Sequence, residues 1–424
     1  MQVTGKKGVK LVRTLGITGA VLLASGVVCY NTMAMVVGRC DMCHTMHNSQ
    51  NGGTVVSASD SAAASADYST AARWGTTLTT ITHGTSAAEQ ARLLKTDCVG
   101  CHSSTGGQTI LTDANGNRVP IVFNTTSYPA QPLAGGNFFN VSTDSAKGHN
   151  VFGISGQDSV LSVAPGNQYN CGSSCHTSLA IPDSITNNTM NIKNNGCQAC
   201  HNRLGHHNAT DKSYRYLGGH GGAGVDIVEG GGNPTGSVGL KHNPYESVDW
   251  EQVPTTANHN FYRAPADLGS GPTEDRTNIG AFCAGCHKMF HAMGTNNSAP
   301  RLNGGDDNTE VHGALIGLTT ANSSPVSPWM RHPSNVNIPQ DGEYQGMFGV
   351  VNYSPTIPVA RVDGTVAATI QQGDQVFCLS CHRAHASQYD DALRFDYTGM
   401  IAHRPNAATD GTGCFYCHTT KDNT

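Results

Sequence analysis

Seven short cysteine motifs, each ending in histidine, constrain this chain more than any other feature of its sequence. Together they use fourteen of its 15 cysteines. Six motifs have two residues between the cysteines, and "CGSSCH" has three. The motif cysteines are Cys40 and Cys43, Cys98 and Cys101, Cys171 and Cys175, Cys197 and Cys200, Cys283 and Cys286, Cys378 and Cys381, and Cys414 and Cys417. The histidines that follow are His44, His102, His176, His201, His287, His382 and His418. The remaining cysteine is Cys29, near the N-terminus, so the motifs leave none for a structural disulfide in the rest of the chain.

C-x-x-C-H is the signature of covalent haem attachment in c-type cytochromes. Two thiols on one turn reach the two vinyl groups at one porphyrin edge, and the next residue becomes the proximal iron ligand. Zinc ribbons are the alternative, but they do not require a histidine after every second cysteine. The longer Cys171–Cys175 spacing makes a larger loop that can leave both thiols in reach. The sequence therefore predicts seven covalently attached c-type haems.

The composition is poor for an ordinary globular core. Aromatic residues make up 6% and charged residues 13% of the chain, and there are 50 glycines. Porphyrins can supply the missing apolar interior. We therefore predict a mostly irregular fold with short helices and little strand, wrapped around a continuous haem stack. The net charge is −5, and Lys and Arg form no long run beyond the N-terminus, which disfavours nucleic acid as a partner.

The first 34 residues are typical of an export signal. A basic start precedes an apolar run between residues 15 and 28, and Thr32 and Ala34 offer small side chains for cleavage after Ala34. A retained membrane helix is the alternative, although spanning a bilayer needs roughly 20 apolar residues. Lipidation of Cys29 is another, but Val28 before it is bulky. No second hydrophobic segment follows, so we expect a mature chain without a membrane span.

Spare histidines exceed the number of predicted haems. Twenty histidines less the seven proximal ones leaves thirteen, so every iron can have two imidazole ligands. Such iron has a lower potential than iron with histidine and methionine, and no open position. The eleven methionines are a competing source of ligands.

Three spare histidines follow a proximal histidine closely: His47, His291 and His385. A histidine three or four residues along cannot easily loop around its own haem plane, but it can reach the iron of a haem packed alongside. Such spacing brings two porphyrins close together. The alternative is that each is a surface histidine or supports a ligand without touching iron.

Several segments resemble the filament-forming outer-surface multihaem c-type cytochromes of metal-reducing bacteria. They are "CDMCHTMHNSQN", "KTDCVGCHS", "CQACHNRLGHHN", "FCAGCHKMFH", "SPWMRHPSN" and "FCLSCHRAHASQYDDALRFDY". The motif order matches over most of the chain, whereas the intervening loops do not. The "HTMHNS" element is the most specific to the filament-forming kind.

The resemblance implies extracellular long-range electron transfer in a conductive filament, with no enzyme activity. It implies that His47 ligates a haem of the neighbouring copy in a head-to-tail assembly. The other distal ligands that it implies are His149, His206 or His207, His259, His291, His332 and His385. His83, His220, His242, His312 and His403 then become reserves or surface residues.

The chain departs from these relatives in its haem number, seven rather than four or six. It reads as a tetrahaem module over residues 35–270 joined to a trihaem module over 271–424, with "APADLGSGPTEDRTN" as the Pro/Gly-rich linker. Copies of itself, other redox proteins and extracellular electron acceptors are the expected partners. The alternatives are a monomeric periplasmic or cell-surface carrier, and a multihaem reductase with an open iron position.

Overall fold

A computed structural model describes a little under half of the chain. The described residues are 49–50, 53–54, 98–112, 118–161, 164–165, 179–180, 196–201, 214–217, 228, 249–256, 259–265, 277–284, 286–287, 332, 334–362, 367–403 and 411–421. The export signal, the first and third attachment motifs, and the candidate ligands His47, His206, His207 and His291 lie outside them.

The α-helices of the described residues are single turns or little more, and all contain attachment cysteines. They are α1 (Cys98–His102), α2 (Cys197–Cys200), α3 (Ile279–Ala284) and α4 (Cys378–Cys381). The last motif adopts a 3-10 helix, Gly413–Tyr416. Helical residues three apart lie on the same face, so one turn is enough to aim both thiols in one direction. The motif chemistry therefore explains why helix appears at these places.

The described strands are two or three residues long and pair only in twos. They are β1 (Ser49–Gln50), β2 (Gly53–Thr54), β3 (Ser103–Ser104), β4 (Ile110–Thr112), β5 (Arg118–Pro120), β6 (Phe123–Asn124), β7 (Val336–Asn337) and β8 (Gln375–Val376). Strand β3 pairs in parallel with β6, whereas β1–β2, β4–β5 and β7–β8 are antiparallel. The predicted fold class, irregular with short helices and little strand, is confirmed.

Buried apolar side chains form three separate clusters. The first contains Val99, Phe123, Phe138, Val141, Val151, Ile154 and Ala386. The second contains Tyr214, Leu217, Val228, Tyr262, Ala264, Ile279, Ala360 and Phe377. The third contains Ile338, Met347, Tyr353, Ile357, Val359, Ile370 and Tyr416. Attachment cysteines pack against all three, namely Cys197 on the first, Cys200 and Cys283 on the second and Cys417 on the third.

Residues 385–387 lie between two segments that are more than 200 positions earlier in the chain. The Ala386 backbone bridges Gly136 on one side and Gly148 on the other. The His149 amide donates to the His385 carbonyl at 3.0 Å, and the His385 amide donates to the Gly135 carbonyl at 2.7 Å. These contacts join the two predicted modules; the boundary near residue 270 stays a prediction.

Within the described ranges, no helix combines the length and the apolar character needed to cross a membrane.

Candidate haem sites

Five of the seven attachment motifs lie in described residues. The backbone amide of the motif histidine donates to the carbonyl of the first cysteine in four of them, closing the turn. These bonds are His201 to Cys197 at 2.9 Å, His287 to Cys283 at 2.9 Å, His382 to Cys378 at 3.0 Å and His418 to Cys414 at 3.0 Å. In the fifth motif, α1 itself runs from Cys98 to His102. The turn thus holds each histidine beside its two thiols.

Local packing fixes the start of α4 in particular. Ser380 Oγ accepts a hydrogen bond from the Phe377 amide at 3.1 Å and donates one to the Pro358 carbonyl at 2.6 Å. Both bonds are buried, so the serine satisfies a helix-end amide that has no partner within the helix. The attachment turn of Cys378 and Cys381 is thereby anchored to residues of the preceding loop.

Four of the motif histidines donate Nδ1–H to a backbone carbonyl. The bonds are His102 to Pro120 at 2.9 Å, His201 to Arg215 at 2.8 Å, His287 to Pro165 at 2.9 Å and His382 to Asp391 at 2.7 Å. A carbonyl oxygen only accepts, so the proton is on Nδ1 and Nε2 is the lone-pair nitrogen. This is the arrangement of metal-ligating histidines, in which the outer hydrogen bond fixes the tautomer and the ring orientation.

Three motif histidines each face one of the predicted distal ligands. The ring centroids are 6.0 Å apart for His149 and His287, 6.1 Å for His201 and His385, and 6.2 Å for His332 and His418. His385 therefore faces the motif at Cys197–Cys200 and not its own, as its spacing from His382 predicts.

These separations match two ligands of a single iron. A metal–imidazole bond is about 2 Å long and the coordinating nitrogen lies about 1 Å from its ring centroid, so opposed ligands have centroids about 6 Å apart. Directly packed aromatic rings span 3.8 Å for His259 and Tyr353 to 5.8 Å for Tyr344 and His418, so the assignment to iron rests equally on the motif histidine present in each pair. The three pairs thus fit haem held between two histidines.

His259 has a buried nitrogen available for a ligand. Its Nδ1 lies 2.8 Å from the Asn260 carbonyl oxygen, and its Nε2 is buried with no hydrogen-bond partner among the described residues. Its ring stacks on Tyr353. Since buried polar nitrogens are nearly always partnered, this one fits a position at a haem iron.

Burial keeps these imidazoles neutral, which metal ligation requires. It lowers the pKa of His385 to about 3, with His201 and His149 adding to the effect. It lowers the pKa of His287 to about 4 together with His149. Burial is also the main cause of the lowered pKa values of His201 and His259. Desolvation by nearby chain lowers the pKa values of His149 and His382 as well, although both residues keep more than a third of their surface exposed. At neutral pH these side chains present a lone pair to iron rather than a positive charge.

Attachment cysteines from different motifs come close to one another. The Cys283 and Cys378 thiols interact where α3 packs on α4, which raises the pKa of Cys283 and lowers the pKa of Cys378. Burial, followed by the nearby Cys414 and Cys417 thiols, raises the pKa of Cys381 to about 12. The fifth, sixth and seventh motifs therefore present their thiols to adjoining spaces, as a close series of haems needs.

The comparisons with known proteins concern the attachment motifs and the chain as a whole. A family model described as the doubled CXXCH motif matches residues 368–423, which contain the last two motifs. The C-type cytochrome OmcS of Geobacter sulfurreducens is 26% identical over 442 residues, covering 96% of this chain and 89% of that protein. The chain is similar to OmcS over almost its whole length. The resemblance read from the motifs is confirmed, and the doubled motif and the similarity to OmcS together support covalently bound c-type haem.

Two solved structures of OmcS are also similar to this chain. One is the outer membrane cytochrome S filament of Geobacter sulfurreducens, with 20% identity, a TM-score of 0.36 and coverage of 89% of this chain and 88% of that one. The other is described as OmcS nanowires, with 18% identity, a TM-score of 0.35 and coverage of 93% and 92%.

Two features of the sites have no signal in the sequence. Arg361 and Asp374 form a buried ion pair behind Tyr353, the ring on which His259 stacks. Glu343 accepts a hydrogen bond from His418. Neither acid lies at a recognisable spacing from an attachment motif, so only the folded chain brings these groups together.

Proposed function

We propose that this chain is an extracellular seven-haem c-type cytochrome that carries electrons over long distances and polymerises into a conductive filament. The observation that carries the proposal is the set of three imidazole pairs, each combining a motif histidine with a histidine remote in sequence. Paired imidazoles leave no iron position for a substrate, which favours electron transfer over catalysis.

The residues of each site have separate tasks. The motif cysteines would attach the haem, and the paired imidazoles would ligate its iron. Carbonyl oxygens fix the tautomers of four motif histidines, a carboxylate takes that place at His418, and the buried clusters exclude water. Haem supplies one-electron redox chemistry when bound. The protein sets the order and the spacing of the haems.

For three motifs, the distal ligand is assigned from the imidazole pair in which the motif histidine takes part. His149 serves the motif at Cys283, His385 the motif at Cys197, and His332 the motif at Cys414. His259, His291 and either His206 or His207 are proposed for three of the four remaining irons. The division into modules at residues 35–270 and 271–424 is part of this proposal.

Polymerisation is proposed through His47. Its position in "HTMHNS" suits a ligand for a haem of a neighbouring copy, and a head-to-tail contact that does not close generates a filament. The solved OmcS structures are of filaments and nanowires. Cleavage after Ala34 would release the chain from an export signal to the cell exterior, where redox proteins and extracellular acceptors are its partners.

The haem number is tested by intact mass spectrometry of the exported, haem-loaded protein. We expect seven haem additions on a chain that begins at Met35. Fewer than seven additions would contradict the proposed cofactor count. Retention of residues 1–34 would contradict the proposed cleavage.

The filament is tested by replacing His47 with alanine and measuring particle length by electron microscopy and light scattering. We expect filaments from the natural chain and single chains from His47→Ala, while His83→Ala serves as the control. Single chains from the natural protein would instead support a monomeric periplasmic or cell-surface carrier.

A further inference from the structure

Glu343 lies directly behind the proximal histidine of the seventh motif. It belongs to the 3-10 helix Gly342–Tyr344, which packs against the C-terminal 3-10 helix Thr419–Lys421. Oε1 of Glu343 lies 3.1 Å from Nδ1 of His418 and 2.9 Å from Nζ of Lys421. Oε2 accepts from the Thr420 hydroxyl at 2.7 Å. With four donor groups around it, counting the Thr420 amide at 3.3 Å, the carboxylate has a fixed position.

This carboxylate distinguishes His418 from the other motif histidines of the described residues. His102, His201, His287 and His382 all donate Nδ1–H to a neutral backbone carbonyl. A hydrogen bond to an ionised acceptor is roughly twice as strong as one between neutral groups. The imidazole of His418 is therefore the most strongly polarised of the five.

The surroundings keep Glu343 ionised. Partial burial alone would raise its pKa, but hydrogen bonds from Thr420, Lys421 and His418 outweigh that effect and lower the pKa to about 2. Burial and the adjacent Glu343 charge raise the pKa of Tyr344 to about 12. The Tyr344 hydroxyl lies 3.1 Å from the same Nδ1 of His418, so this nitrogen has both a carboxylate and a hydroxyl within hydrogen-bond distance.

We propose that Glu343 is a positioning residue that lowers the reduction potential of the haem attached to Cys414 and Cys417. This inference rests on the proposed haem ligation. A carboxylate acceptor draws the Nδ1 proton outward and makes Nε2 more basic. A more basic ligand stabilises ferric relative to ferrous iron. Reduction adds one electron, supplied in the test by an electrode, and the proton stays on Nδ1 of His418.

The test compares Glu343→Gln with Asp390→Asn in the full-length, haem-loaded chain. The glutamine keeps the size and a hydrogen-bond acceptor but removes the charge. Asp390→Asn makes the same change of charge at an exposed carboxylate that pairs with Lys147 and, within the described residues, contacts no imidazole. Both variants are measured by spectroelectrochemical titration, and their haems are counted by mass spectrometry.

Because seven haem potentials overlap, both variants are also made in a protein that carries His332→Met. Iron with one histidine and one methionine has a higher potential than iron with two histidines, so the haem opposite His418 titrates apart from the rest. We expect Glu343→Gln to raise this potential further, by about 59 mV or more, which is a tenfold change in the ferric-to-ferrous ratio. Asp390→Asn should leave it in place.

The outcomes separate the inference from the function on which it rests. If Glu343→Gln carries seven haems and the potential of the haem at Cys414 and Cys417 does not change, only the role of Glu343 is overturned. An equal shift in Asp390→Asn would overturn it too, since a general charge effect would then suffice. Absence of any separated wave in His332→Met would contradict the proposed pairing of His332 with His418, and fewer than seven haems in the natural chain would contradict the proposed cofactor count.

Discussion

Two regions of the molecule hold their histidines in different ways. Around Ala386, backbone segments that are distant in sequence bond directly to one another, at Gly136 on one side and Gly148 on the other. Around Tyr416, the third cluster of side chains forms a compact core, and the buried Arg361–Asp374 ion pair lies beside it. The first region places His149 and His385 through their own backbone amides; the second supports His418 through side chains.

The comparison shows that attachment motifs of the same type can have different chemical surroundings. Backbone bridging leaves a neutral carbonyl as the acceptor for Nδ1, as at His382 and Asp391. Side-chain packing allows a carboxylate to take that place, as Glu343 does at His418. Neighbouring haems in one chain can therefore be given different potentials by the protein alone.

The largest effect on stability is expected in the Tyr416 region, from Asp374→Asn. Asp374 accepts from Nε of Arg361 at 2.7 Å and from Nη2 at 3.0 Å, and both side chains are buried. Removing one partner of a buried pair costs about 3–5 kcal/mol, because the other charge stays buried without compensation. Denaturant unfolding of the intact protein measures this loss.

The control is Asp341→Asn, an exposed acid in the same region that caps no amide with its side chain. Surface changes of this kind are usually within about 0.5 kcal/mol of neutral. Similar losses in both variants would show that the ion pair does not support the region.

A smaller effect is expected in the Ala386 region from Gly148→Ala. A Cβ at Gly148 would lie 2.4 Å from Cβ of Ala386 and 2.4 Å from the His385 carbonyl oxygen. Overpacking of this kind costs about 1–3 kcal/mol, and it would displace the backbone that carries both His149 and His385. The unfolding midpoint should fall, and carbon monoxide should bind where an iron loses its distal ligand.

Gly156→Ala is the matched control, because no atom of the described part of the chain lies within 4 Å of a Cβ there. If Gly148→Ala unfolds at the same denaturant concentration as Gly156→Ala, the bridge through Ala386 is not a tight contact.

The smallest effect is expected from Glu251→Gln, as a change in pH dependence. Glu251 is buried and accepts from the Asn260 amide at 2.6 Å. Burial raises its pKa above 4.5, although Arg394 opposes the shift. The folded chain therefore binds this proton more tightly than the unfolded chain does. Stability should fall as the pH rises from 4.5 to the raised pKa, by at most about 1.4 kcal/mol per pH unit.

Glutamine has no such proton, so the slope above pH 4.5 should be smaller in Glu251→Gln than in the natural chain. Parallel pH profiles of unfolding for the two proteins would show that Glu251 ionises at its ordinary pKa.

The sequence predicts the attachment turns well because their chemistry is local. Cys378, Cys381 and His382 lie within five residues, and one helical turn satisfies both the spacing and the backbone bonds. The irregular fold also follows, since a chain with 6% aromatic residues has little else to pack around than haem.

The partner of each imidazole is not predictable in the same way. His149 and His287 are separated by 138 positions, and only the path of the chain between them decides that they meet. The spacing of His385 from His382 predicts that it serves another haem, but not which one. Glu343 is harder still, because an acid 75 residues before His418 has no distinguishing sequence context.

The most direct measurement is a high-resolution electron-microscopy reconstruction of the haem-loaded protein. We expect one iron bound by the imidazoles of both His201 and His385, and likewise for His149 with His287 and His332 with His418. The result that would contradict the paired-imidazole sites is an iron at Cys197–Cys200 whose second ligand is another residue or solvent. The proposed function depends on these sites.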